Sequence, residues 1–234
     1  MSRAVPLVAL LLLWGSGASV AAAEVAAGIV FSAGAASIVT PDGQRRPASR
    51  GGELLAGESI ETGDDGRAQL RFRDGASMSL QPATRFRVDD FRFAGGKGSP
   101  EDKGFFTLLK GGFRTITGLI GKGRREQYQV GTTVATIGIR GTEYSANLGS
   151  GGLVVTTVSG LVEVCNAAGC VLVSPGETTT VVDKDAKPGP GSPPKVGQGD
   201  LLPQLPSGPG ADDRSRVPVR PVEPPPINRN TTNW

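Results

Sequence analysis

Residues 129–144 constrain the fold of this chain more than any other stretch. Ala135, Ile137 and Ile139 alternate with Thr136 and Gly138. A polar corner follows, Arg140-Gly141-Thr142-Glu143, and the alternation resumes at Tyr144, Ala146 and Leu148. A period of two places the apolar side chains on one side of a strand. The stretch therefore predicts two β-segments that meet at a corner and bury one face. Gly141 suits a backbone position closed to residues that carry a Cβ. Arg140 and Glu143 flank it, placed to pair or to brace the turn, and Thr142 can bond to nearby backbone.

The same period runs through the preceding residues. Ala68, Leu70 and Phe72 point one way, and Gln69, Arg71 and Arg73 the other. Asp74-Gly75 is a strong hairpin turn, because glycine tolerates positive φ. Met78 and Leu80 alternate with Ser77, Ser79 and Gln81 on the return. Phe86 and Val88 continue the pattern, then Phe91 and Phe93. Residues 95–103 read as a polar loop, and 105–109 with 113–117 as another strand pair around Gly111-Gly112. Helical periodicity is weak throughout, and the chain holds 35 glycines and 18 prolines, a turn-rich composition. The predicted fold is all-β, with antiparallel strands in a sandwich or a short β-roll.

Beyond the corner, residues 153–158 and 161–165 read as strands joined by a Ser159-Gly160 turn. Residues 170–173 and 178–182 follow, separated by a turn at Pro175-Gly176-Glu177. A four-residue loop would set Cys165 opposite Cys170, Val164 opposite Val171, and Val162 opposite Val173. That one register puts all four valines on one face. Directly opposed strand residues lie about 4.5–5.5 Å apart at Cα, within the range of a disulfide. An oxidising compartment would bridge the pair. The closed loop is short, so the gain is about 2 kcal/mol. A redox or metal role for the C-x4-C pair is the competing reading.

The compartment is read from the first residues. Arg3 precedes an apolar run over 5–14, broken only by Pro6, and Ala21-Ala22-Ala23 offers a small-residue cleavage site. Residues 1–23 are expected to be a signal peptide. An N-terminal anchor is the alternative, but the run is shorter than the roughly 20 residues of a spanning helix. The expected location is the periplasm or the outside of a bacterial cell, with no transmembrane span after cleavage. Residues 24–183 form the expected β domain. Residues 184–234 are Pro- and Gly-rich, with clusters such as Pro188-Gly189-Pro190-Gly191 and Pro224-Pro225-Pro226, and are expected to be disordered or extended, as a spacer or docking peptide.

Composition excludes several function classes. The balance of 25 basic and 22 acidic residues gives +3, and losing Arg3 with the signal leaves 24 against 22, too mild to imply nucleic acid. The chain has no histidine, which removes the usual general base and the commonest metal ligand. Two cysteines alone cannot build a tetrahedral zinc site. No cofactor, metal or catalytic residue is expected. Residues 118–123 look like a phosphate loop but have the wrong glycine-to-lysine spacing, so a solvated basic loop is expected. The arginines between 67 and 92 line outward faces, either to bind an anionic polymer or to keep the sheet soluble.

Read together, Gly57-Glu58-Ser59-Ile60-Glu61-Thr62-Gly63, Ala68-Gln69-Leu70-Arg71-Phe72-Arg73-Asp74-Gly75, the corner Ile139-Arg140-Gly141-Thr142-Glu143-Tyr144, and Val158-Ser159-Gly160-Leu161-Val162-Glu163-Val164 make residues 27–182 resemble a FecR-type domain. The resemblance implies a periplasmic all-β domain that acts by protein–protein contact. In the founding members, that domain senses an outer-membrane iron-siderophore transporter and signals through a membrane helix to a cytoplasmic sigma-factor regulator. Here a signal peptide is expected where the regulator and helix would stand. The expected function is thus a non-enzymatic interaction or signal-sensing module of the cell envelope with a protein partner, and Arg140, Gly141, Thr142, Glu143 and Tyr144 are candidate partner contacts. An envelope polymer-binding or structural protein is the alternative.

Overall fold

The computed structural model describes residues 23–95 and 98–193. The strands, in chain order, are β1 (Val25–Ala33), β2 (Ala36–Val39), β3 (Arg45–Pro47), β4 (Glu53–Leu55) and β5 (Ser59–Thr62). They continue with β6 (Arg67–Phe72), β7 (Ser77–Leu80), β8 (Arg85–Arg92), β9 (Lys103–Ile116) and β10 (Tyr128–Gly131). The last five are β11 (Thr136–Gly149), β12 (Gly152–Asn166), β13 (Gly169–Val173), β14 (Thr178–Val181) and β15 (Gly189–Pro190). One short helix, α1 (Leu119–Gly123), and a 3-10 turn, Arg125–Gln127, lie between β9 and β10. No helix among the described residues is long and apolar enough to cross a membrane.

The all-β expectation holds, and the architecture follows from three long strands that change neighbours midway. The first half of β9 pairs with β8 and β10, and its second half with β7 and β11. The first half of β11 pairs with β10 and the second with β9, while β12 follows β11 along its whole length. β12 adds β14 beside its first half and β13 beside its second. Two layers result. One runs β3-β2-β5-β8-β9-β10-β11-β12-β13, the other β4-β1-β6-β7-β9-β11-β12-β14-β15. β9 crosses between them at Gly111-Gly112. β11 and β12 cross together at the far end, since Leu148 lies beside Gly111 but Glu143 beside Ile116.

Both inner faces are apolar. Ile60, Phe86, Val88, Phe106, Ile137 and Val164 come from one layer, and Leu70, Phe72, Met78, Phe113, Ala146 and Val155 from the other; all are buried. Phe72 ties the layers together, its ring 5.8 Å from Phe91 and 5.3 Å from Phe106. Each such side chain contributes about 1.5–3 kcal/mol through removal from water. Ala68, Leu70 and Phe72 face inward as their spacing predicts, and β6–β7 is the expected hairpin.

Four expectations are corrected. Residues 105–109 and 113–117 do not pair with each other; they are one strand, β9, bent at Gly111. Ser159-Gly160 is likewise a bend inside β12 and not a turn between strands. The β9–β10 pair is parallel, because α1 and the 3-10 turn return the chain to the start of β9, and every other pairing among the described residues is antiparallel. The domain also runs past Asp183. Asn166 Nδ2 donates to the carbonyls of Asp183 and Ala186, at 3.2 and 2.6 Å, and β15 pairs with β14. The expected signal peptide, apart from its last residue, and residues 194–234 of the expected tail lie outside the described residues.

Cys165 and Cys170 form the expected disulfide, with Cα atoms 4.1 Å apart. The predicted register is the observed one: Val162 opposite Val173, Val164 opposite Val171, Cys165 opposite Cys170.

Candidate functional site

The corner at residues 140–143 is the candidate site that the sequence marks. Its backbone explains its composition. Gly141 has φ +61° and Gly160, beside it on β12, has φ +76°. A Cβ on Gly160 would stand 2.2 Å from the Gly141 carbonyl oxygen. The two bends are therefore packed backbone to backbone, and glycine alone fits at 160. The Thr117 amide donates to the Thr142 carbonyl at 3.0 Å, and the Thr142 amide donates to Thr117 Oγ1 at 3.0 Å, which pins the corner to the end of β9.

The five candidate contact residues separate into buried and surface groups. Tyr144 is fully buried, with its ring edge-on to Phe113 at 5.7 Å. Thr142 is also buried, and its hydroxyl has no partner among the described residues, so the expected local bond to backbone is not made. Arg140 and Glu143 do not pair with each other. The strand register shifts between them, and Glu143 accepts from Arg114 Nε at 2.9 Å. Arg140 is exposed and forms no side-chain bond or ion pair with another described residue. Only Arg140 and Glu143 of the motif side chains remain available to a partner.

A second polar group lies inside, and sequence reasoning missed it. Asp74, read as a plain turn residue, is buried. Its carboxylate accepts from the Ala76 amide at 3.0 Å and from Ile120 at 3.3 Å, which docks α1 on the β6–β7 turn. Residues 118–123 are thus not a solvated loop: Ile120 and Gly121 are buried. The signal was Ile120, an apolar residue hidden among glycines and lysine. Burial pushes the Asp74 carboxyl above its ordinary value; the Ala76 and Ile120 amides draw it back, and the Asp102 charge adds to the rise. Tyr128 and Tyr144 hydroxyls lie 3.4 Å apart. Burial raises both phenols far above their usual range. A cavity of about 10 Å³, bordered by Asp74, Thr115, Ile120 and Tyr128, has room for one water at most. It encloses polar groups but cannot admit a substrate.

The outward arginines are largely matched by acids. Arg45 and Arg85 both reach Glu61, each at 2.8 Å. Arg46 grips Glu58 at 2.5 and 2.7 Å. Arg87 pairs with Asp89, and Arg92 with Glu24 and Glu101. Burial raises the Glu58 carboxyl, but Arg46 and the Leu55 amide outweigh that and hold it below its ordinary value. Glu163 lies near the two cysteine sulfurs, yet both sulfurs are consumed in the disulfide, so the group offers no metal site.

Part of the chain is similar to one protein family. Residues 58–163 match the family model described as FecR protein. That interval opens at Glu58 and contains the corner. No curated protein matches the chain. Two crystal structures of a "putative anti-sigma factor" from Parabacteroides distasonis ATCC 8503, at 1.65 and 2.50 Å resolution, are similar at 18% identity, with TM-scores of 0.45 and 0.44. Each likeness covers 56% of this chain and 57% of the other, so the chain spans little more than half the length of those proteins. The Arg140–Glu143 corner and the strands leading to it lie inside the matched interval, so over residues 58–163 the chain is similar to FecR proteins.

Proposed function

We propose that this chain is an exported, non-enzymatic interaction module of the bacterial cell envelope, which senses or holds a protein partner through the outer surface of its corner. The observation that carries this reading is the FecR match over residues 58–163, since the FecR resemblance implies a domain that acts by protein–protein contact. The surface at the corner supports it. Arg140 has no ion-pair partner among the described residues, Glu143 is half-buried beside Arg114, and Ile116, Leu119 and Val158 are exposed hydrophobics around them. Exposed apolar residues beside free charge are what a partner contact uses. An enzyme draws no comparable support, since the buried acid Asp74 is enclosed and Glu58, Glu61 and Asp89 are engaged by arginines. Polymer binding draws less, because alternating charges replace a uniform basic face.

The test uses the full chain with Arg140→Glu or Glu143→Lys as bait in envelope extracts. Both variants should keep the wild-type melting temperature and lose the captured protein. Unchanged capture would move the contact elsewhere. Salt-sensitive sedimentation with peptidoglycan, unaffected by either variant, would favour the polymer reading.

A further inference from the structure

Three of the exposed large hydrophobics among the described residues gather at the corner. Ile116 is 50% exposed, Leu119 40% and Val158 46%. Ile116 lies opposite Glu143 on β11, and Glu143 lies opposite Ser159 on β12. Val158 is the extra residue of the β12 bulge, since Ser159 faces Glu143 and Thr157 faces Tyr144. Two strand steps separate Ile116 from Val158, so the apolar patch is about 10 Å across. Leu119 opens α1, and the side chain of Lys122, from the same helix, lies over Gly141.

The charge around this patch is one-sided. Its acids are engaged: Glu143 pairs with Arg114, and Glu126 with Arg124 at 3.6 Å. Glu163 stands farther along β12, with its carboxylate within 4.8 Å of the disulfide sulfurs. The cations are not matched in this way. Lys122, Arg125 and Arg140 are exposed, and none has an ion-pair partner among the described residues. The 3-10 turn that carries Arg125 packs against β11, the strand of Arg140. On the far side, Arg71 is joined to Ile116 across the sheet through Ser77. Arg71 donates to the Gly75 carbonyl at 3.2 Å and meets no acid among the described residues.

We propose that the corner takes an acidic segment of a partner polypeptide, with large apolar side chains set on Ile116, Leu119 and Val158 and carboxylates held by the cations on either side. This names the chemistry of the partner and rests on the reading of the corner as the contact face. Arginine forks bind carboxylates in two places at once, which fixes register as well as charge. A purely ionic polymer makes no use of the apolar centre. A second copy of this chain would bring the same cations against these, and like charges across an interface suppress the wrong partner.

Selection of a random phage-displayed peptide library on the purified full-length chain tests this. Enriched peptides should carry Asp or Glu beside Leu, Ile, Phe or Trp. A synthetic peptide of the enriched sequence, followed by fluorescence anisotropy, should bind at least about tenfold more weakly to Ile116→Ser and to the double variant K122E/R140E. It should bind Leu172→Ser, on β13, as tightly as the wild type. The same peptide with lysine in place of each acid should regain binding on the double variant. These positions are exposed, so all variants should keep the wild-type melting temperature. Enriched peptides without acids, whose binding still falls with Ile116→Ser, would overturn the acidic partner while leaving the corner as the contact face. Peptides indifferent to every corner variant would overturn both. Polyglutamate binding as tightly as the peptide, and unaffected by Ile116→Ser, would make a purely anionic polymer the occupant and overturn the proposal.

Discussion

Gly160 carries the tightest constraint in the corner. An alanine there would adopt positive φ and also press on the Gly141 carbonyl, whereas the space at Gly141 is open, with Lys122 Cγ at 3.8 Å the nearest atom. Gly141→Ala is expected to cost about 1 kcal/mol from backbone conformation alone, and Gly160→Ala about 3 kcal/mol or more. Urea unfolding of the two variants measures the gap, and equal losses would contradict the packing described. Two carboxylates should respond to pH in opposite senses. The folded pKa of Asp74 is raised, so the stability it contributes is full below its unfolded value, about 3.9, and is lost as pH rises through the folded one. Asp74→Asn should therefore gain on the wild type as pH rises above about 4. Glu58 is lowered, so its contribution is present above about pH 4.3 and lost as pH falls through the folded value. The deficit of Glu58→Gln should shrink in acid. Chemical denaturation at several pH values checks both slopes.

At the level of elements, the alternating strands were legible and their partners were not. Ala68-Leu70-Phe72 and Ala135-Ile137-Ile139 declare their buried face in the local pattern, because period two is a property of the strand itself. Gly111-Gly112 and Ser159-Gly160 look like turns in the sequence, because a glycine with positive φ serves a hairpin turn and a bend within a strand equally well. Which one forms depends on neighbours far along the chain, such as β7 and β11 beside the second half of β9. Asp74 was opaque for the same reason: its burial comes from α1, 46 residues away. The Cys165–Cys170 hairpin was legible because loop length alone sets its register. Replacing both cysteines by serine should cost about 2 kcal/mol, read as a lower denaturation midpoint, since the bridge closes a short loop. A loss well above that would mean that edge strand β13 needs the bridge to pair at all.

For the molecule as a whole, β9 at one end and β11 with β12 at the other hold the two layers in fixed relation. Asp74, Tyr128 and Tyr144 are sealed inside that frame, and Gly141, Thr142 and Tyr144 of the family motif serve the frame. Arg140 and Glu143 are left outside, next to Ile116, Leu119 and Val158. The motif is thus mainly the structural signature of the domain, and the functional face proposed above is the rim around it. The most direct test places a photo-crosslinking amino acid in the full chain at Ile116, Val158 or Leu172 and irradiates intact cells. The account predicts one shared intermolecular adduct from positions 116 and 158 and none from 172. No adduct at the corner, or the same adduct from all three sites, would contradict it.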